Sequence, residues 1–130
     1  MKQKNRVVIT GLGVTTPLGV GIAETFDALV EKKCGIGRIT VFDASRYTSQ
    51  IAGEVRSGKV ADCVPKSYRK ATKVMARDIE LAVMAAYHAV KDAGLKTKCI
   101  IDRGEATGPS DIDSTRFGAN IGAGLICADL

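Results

Sequence analysis

The chain has 130 residues, 45% of them apolar and 25% charged. These are ordinary globular proportions, which exclude a chain disordered throughout and a collagen-like repeat. Nineteen Lys/Arg against fourteen Asp/Glu leave a formal charge of +5, a modest excess whose placement matters more than its size.

Arg6 to Thr10 reads as a strand, because Val7, Val8 and Ile9 form a continuous apolar run. Gly11-Leu12-Gly13 breaks it, and Thr15-Thr16-Pro17-Leu18-Gly19 is a loop. Gly21 to Lys33 is helical in period, with Ile22, Phe26, Leu29 and Val30 on one face. Lys32 and Lys33 suit the end of the helix dipole, and Gly35 is a stop. A short extended piece is expected around Arg38 to Phe42. A short strand is expected within Ser49 to Val55, on Ile51 and Val55. Ser57 to Pro65 reads as a surface connection.

The strongest helix signal runs from Lys70 to Ala93. Met75, Ile79, Ala82, Val83, Ala86, Val90 and Ala93 recur at three- and four-residue spacing. Five alanines between Ala82 and Ala93 would let this helix lie close to a neighbour. Gly94-Leu95 fits a left-handed C-terminal cap. Lys96 to Ser114 reads as a loop, and Arg116 to Ile121 as a strand entering Gly122-Ala123-Gly124. Strand, helix, strand, helix, strand favours an α/β fold around a largely parallel sheet.

No run approaches the roughly 18 apolar residues of a membrane span. Val7-Val8-Ile9 is too short for the core of a signal peptide. Cys34, Cys63, Cys99 and Cys127 show no Cys-x-x-Cys, and His88 is the one histidine. A zinc site is poorly supported, and the four read as reduced thiols of a cytoplasmic protein. A catalytic cysteine would need His88 beside it, and nothing in the spacing argues for that.

From Lys66 to Arg77 there are five bases (Lys66, Arg69, Lys70, Lys73, Arg77) and no acid. Such a run is either a solvated face or a docking patch for an acidic partner. Nucleic acid is disfavoured, since Tyr68 is the one aromatic there and no nucleic-acid motif surrounds it. Gly11-Leu12-Gly13 after a strand invites a dinucleotide-binding reading, but the third glycine of that fingerprint would fall on Thr16, followed by Pro17. No helix N-terminus starts there to meet a pyrophosphate. Tight chain reversal at strand ends is the simpler reading of both glycine turns. No cofactor is expected.

Arg6-Val7-Val8-Ile9-Thr10-Gly11-Leu12-Gly13-Val14-Thr15-Thr16-Pro17-Leu18-Gly19 resembles the opening of β-ketoacyl-acyl carrier protein synthases. Four further matches follow in the family's order: Cys34-Gly35-Ile36-Gly37; Phe42-Asp43 with Ile51-Ala52-Gly53-Glu54-Val55; Asp92-Ala93-Gly94-Leu95; and Arg116-Phe117-Gly118-Ala119-Asn120-Ile121-Gly122-Ala123-Gly124. Each piece alone is weak, but five in register make a specific signal.

The resemblance implies a thiolase-like layered fold, a mixed sheet with flanking helices, of which residues 1–130 would be an incomplete first half. It implies a decarboxylative Claisen condensation of an acyl thioester with malonyl-acyl carrier protein, in fatty acid or polyketide synthesis. The family's nucleophilic cysteine lies in a stretch resembling Thr-Ala-Cys-Ser/Ala, and two histidines and a lysine assist it. No such stretch occurs before Leu130. Cys127 lacks the flanking residues, and His88 matches no catalytic position. The expectation is therefore a partial N-terminal domain, truncated before the nucleophile helix, with no catalytic residue and no activity alone.

Two binding roles carry over by resemblance. Lys70 and Lys73 match positions that dock the acidic carrier protein. Val74 stands where a further base is expected, and Arg69 compensates. Leu125 matches a residue lining the acyl pocket, against the alternative of a core leucine. Expected partners are acyl carrier protein and acyl and malonyl thioesters, with homodimers in the full-length family. The other reading is a short non-catalytic ketosynthase-like module that binds carrier protein or a complementary second half.

Overall fold

The computed structural model describes residues 6–124. Within them the chain mixes short strands with helices. Strands β1 (Thr15–Thr16) and β2 (Gly19–Val20) form one antiparallel hairpin, followed by helix α1 (Ile22–Val30). Strands β3 (Ile36–Arg38) and β4 (Ile51–Gly53) form a second antiparallel pair, with Ile36 opposite Gly53 and Arg38 opposite Ile51. Three tight 3-10 turns (Val60–Asp62, Lys66–Tyr68, Ala71–Val74) lead to helix α2 (Arg77–Asp92), and a five-residue helix α3 (Lys98–Asp102) follows.

Both ladders among the described residues are antiparallel, so the parallel sheet expected from the element order is not formed within them. Arg6 to Thr10 and Arg116 to Ile121 carry no strand pairing, and Val7 and Ile9 are 96% and 82% exposed. A strand needs a neighbour to take its backbone hydrogen bonds, and neither segment has one here. Ser49 to Val55 yields β4 as expected, while the extended piece before it sits at Ile36–Arg38, earlier than Arg38 to Phe42.

Helix α1 forms where its period placed it, but the face of Ile22, Phe26, Leu29 and Val30 is exposed and Ala28 is its buried residue. Glu54 closes the second hairpin. Its carboxylate accepts from the Thr40 amide (2.6 Å), the Thr40 hydroxyl (2.7 Å) and Arg56 (3.0 Å). These bonds, the Thr40 hydroxyl first, hold its pKa down at about 2.

The segment 57–65, expected at the surface, supplies most of the main core cluster. Val60, Cys63 and Val64 are buried around Met84 of α2, which has no exposed surface. Val20, Met75, Val83 and Tyr87 pack against this cluster. Valine at 60 and 64 and cysteine at 63 suffice because the 3-10 turn brings them to one side.

Helix α2 starts at Arg77, seven residues after the predicted start. Thr72 explains part of the delay. It is buried, its hydroxyl donates to the Arg69 carbonyl (2.9 Å), and Met75 is extended. β-Branched Thr72 and Val74 also favour helix poorly. Asp78 and Glu80 then lie in the first turn, on the favourable side of the dipole. The C-terminal end is as predicted. Gly94 has φ 67°, its amide donates to the Lys91 carbonyl (3.0 Å), and the Leu95 amide donates to the Val90 carbonyl (3.2 Å). That pair of bonds is a Schellman motif.

Candidate functional site

The basic tract is built from two of the 3-10 turns. The Tyr68 amide donates to the Pro65 carbonyl (2.9 Å) and the Lys73 amide to the Lys70 carbonyl (3.3 Å). Residues three apart eclipse in such turns, so Lys66 sits over Arg69 and Lys70 over Lys73. Pro65 and Thr72 are buried and anchor the tract, while Lys66, Arg69, Lys70 and Lys73 are exposed. Among the described residues these four cations make no ion pair. Arg77 differs: it pairs with Glu80 (2.6 Å) and donates to the Val55 carbonyl (2.8 Å). The tract is thus a row of four solvent-facing cations, closed at its far end by a structural arginine.

The Gly11-Leu12-Gly13 segment has a packing role. A Cβ on Gly11 would lie 2.6 Å from the Ala93 amide nitrogen, and one on Gly13 would strike the Ala85 carbonyl and the Ala89 backbone. Ala85 and Ala89 of α2 and Ala93 at its C-cap therefore receive the glycine segment. The Leu12 amide donates to Asp92 (2.9 Å) at the helix end. Thr16, where a dinucleotide fingerprint would need glycine, organises the next turn: its hydroxyl accepts from the Leu18 and Gly19 amides, both at 3.2 Å. Gly11-Leu12-Gly13 thus forms no tight reversal, since it has neither a turn nor a positive φ, and its glycines serve close approach to a helix instead.

His88 meets the ring of Tyr87 edge-on and lines a 390 Å³ cavity with Leu12, Val20, Gly21 and Asp92; among the described residues no cysteine lines it. Cys34 is exposed, Cys63 buried and Cys99 half-buried. Burial pushes the Cys63 and Cys99 thiols up, away from the reactive thiolate. The Cys99 thiol donates to the Cys63 carbonyl (3.7 Å). Both border an apolar cavity of 250 Å³ between the core segment, α2 and α3, which Ile121 also reaches. Among the described residues no group of three His, Cys, Asp or Glu side chains could hold a metal, and no helix is long and apolar enough to cross a membrane. Leu125 and Cys127 lie outside the described residues.

Helix α3, inside the expected loop, brings a polar cluster that spacing did not reveal. Glu105 accepts from the Tyr87 hydroxyl (2.7 Å), from Arg103 (2.6 Å) and from Lys91 (3.2 Å). Arg103 also donates to the Val64 carbonyl (3.0 Å) and lies 5.0 Å from the Tyr87 ring centre. Burial alone would raise the Glu105 pKa, but the bonds from Tyr87, Arg103 and Lys91 outweigh it and hold the carboxyl at about 2. The available signal was Thr97, whose hydroxyl caps α3 by accepting from the Ile100 amide (3.4 Å).

A depressed carboxyl stabilises the fold above its ordinary value and loses that contribution as pH falls. The Glu105 contribution should be complete above the usual 4.5 and vanish as pH drops toward 2. Glu105→Gln should cost about 1.5 kcal/mol at neutral pH, as for hydrogen bonds to charged groups. Urea unfolding at several pH values checks this. The gap between the two proteins should close between pH 5 and pH 2; a gap constant with pH would refute it.

The family model "Beta-ketoacyl synthase, N-terminal domain" matches residues 4–125. The 3-oxoacyl-(acyl-carrier-protein) synthase 2 of Coxiella burnetii is 38% identical over 124 residues, covering 95% of this chain and 26% of that protein. The tetracenomycin polyketide synthase ketoacyl synthase alpha subunit of Streptomyces glaucescens is 35% identical over 124 residues, again covering 95% and 26%. The solved ishigamide ketosynthase/chain length factor superposes with a TM-score of 0.56 at 33% identity, over 68% of this chain and 21% of that one. The chain spans about a quarter of the length of the curated relatives it matches. Matched along nearly its whole length, the chain belongs to the β-ketoacyl synthase family through that family's N-terminal domain.

Proposed function

We propose that residues 1–130 form the opening part of a ketosynthase of fatty acid or polyketide synthesis, a layered α/β enzyme whose nucleophile helix follows. The family match along residues 4–125 carries this reading. The exposed surface supports it. The chain exposes 10461 Å², against about 6,600 Å² for a folded monomer of this mass by the usual size scaling. Val7, Ile9, Phe26, Val30, Val41 and Ile51 are all more than half exposed. In the whole enzyme these residues would meet the remaining layers.

In that enzyme a cysteine thiolate takes the acyl group from a carrier thioester, releasing the carrier thiol. Malonyl-carrier loses its carboxylate as CO2, leaving an enolate. The enolate carbon attacks the acyl-cysteine, the C–S bond breaks, and the thiolate returns as β-ketoacyl-carrier leaves. This segment contributes the glycine-turn scaffold, the acyl-pocket position Leu125, and a docking face of Arg69, Lys70 and Lys73 for the acidic carrier protein. No residue of it is assigned a catalytic role, and alone it should release no CO2 from malonyl-carrier.

Reversing Lys70→Glu and Lys73→Glu together should weaken carrier-protein binding about tenfold at low ionic strength and flatten its salt dependence. Titration calorimetry at two salt concentrations checks this, with a CO2-release assay on the same sample. Unchanged affinity would return the tract to a solvated face, and CO2 release that persists after host synthases are removed would overturn the assignment of no catalytic residue. Binding without turnover in a native gene that stops after Leu130 would favour the non-catalytic carrier-binding module.

A further inference from the structure

Tyr68 stands within the cation row, between Lys66 and Arg69, and is 59% exposed. Beside it lies a cavity of 280 Å³ walled by Val64, Pro65 and Tyr68 on one side and by Lys98, Cys99 and Asp102 of α3 on the other. Val64 and Pro65 are buried and form a fixed floor. Among the described residues Asp102 is the one acid in the wall, and Lys98 pairs with it at 3.1 Å. An acidic partner drawn to the four cations therefore meets an apolar recess with no unpaired negative charge facing it.

We infer that this recess is the apolar half of the docking face: an acidic segment of the carrier protein lays its carboxylates along Lys66, Arg69, Lys70 and Lys73 and inserts an exposed aliphatic side chain between Tyr68 and α3. The inference rests on the carrier-docking reading above and adds a recognition element that the charges do not supply. Exposed cations mainly steer association and set its salt dependence, whereas a filled apolar pocket slows dissociation. The charge complementarity of the row with an acidic partner selects this occupant. A second copy of this basic chain would bring like charges together. Helix α3 thereby becomes part of the surface, with the Glu105 cluster fixing it to α2 and the core segment.

The test uses the full chain and a purified, tryptophan-free acyl carrier protein. Tyr68→Ala should weaken binding about fivefold to tenfold, as for truncation of an aromatic anchor, through faster dissociation and with the salt slope unchanged. Tyr68→Phe should keep the affinity. The chain has no tryptophan, so Tyr68→Trp introduces a single reporter whose emission should shift to the blue at saturating carrier protein. Unchanged affinity in Tyr68→Ala, or an unshifted emission in Tyr68→Trp, overturns the inference. If charge reversal at Lys70 and Lys73 weakens binding while Tyr68→Ala does not, the recess fails and the basic face stands. If the unaltered chain does not bind at all, both fail.

Discussion

Gly13→Ala should be among the most damaging single substitutions in the chain, lowering stability by about 3 kcal/mol or more. The new methyl would run into the Ala85 carbonyl and the Ala89 backbone of α2. Backbone in the middle of a helix cannot swing aside as a long side chain can. Either the glycine segment lifts, breaking the bond from the Leu12 amide to Asp92, or α2 shifts and disturbs the core around Met84. Overpacking costs typically 1–3 kcal/mol, and more where backbone is struck. At about 4 °C per kcal/mol for a chain of this size, the thermal midpoint should fall by roughly 10 °C. Gly37→Ala is the control. A Cβ there meets nothing within 4 Å, so it should be neutral or slightly stabilising. Thermal unfolding followed by circular dichroism separates the two. Equal midpoints would show that the glycine segment does not rest on α2 as described.

What was legible in the sequence was what neighbouring residues decide. The cap at Gly94-Leu95 is set within five residues, and its two hydrogen bonds form as expected. The cation row is a property of consecutive residues and survives into the structure. Thr15 to Gly19 reads as a loop from Thr16 and Pro17, and Thr16 serves a turn there. The illegible parts depend on distant partners. Val7-Val8-Ile9 has the pattern of a buried strand, yet pattern cannot supply the strand beside it. The apolar face of α1 was real as a periodicity, but nothing among the described residues packs over Phe26 or Val30. Gly11 and Gly13 read as a tight reversal, because the sequence does not name the helix whose close approach they serve. Segment 57–65 reads as polar connection because Ser57, Gly58, Lys59 and Asp62 dilute its three core residues. Conversely, Lys96 to Ser114 reads as loop because its glycines and proline mask the Thr97 cap and the Ile100 that α3 buries.

The same contrast between a small core and a broad apolar surface makes Met84→Ala the second large effect. Among the described residues Met84 is the one large side chain with no exposed surface, and Val60, Cys63 and Val64 close around it. Removing its side chain beyond Cβ should cost about 3 kcal/mol, within the range for large-to-alanine changes in a core. Folded domains hold only about 5–15 kcal/mol in total, and this core has few other members to share the loss. Met84→Leu keeps the volume and should cost less than about 1.5 kcal/mol. Urea unfolding should therefore show a much lower midpoint for alanine and a similar one for leucine. The alanine variant should also bind a hydrophobic dye more strongly while keeping its helical circular dichroism, because α2 loses its packing before its backbone bonds. Equal midpoints for Met84→Ala and the unaltered chain would place the stabilising core elsewhere. A large loss in Met84→Leu as well would mean that the shape of the site, set by Gly58 pressed against the methionine tip, matters more than its volume.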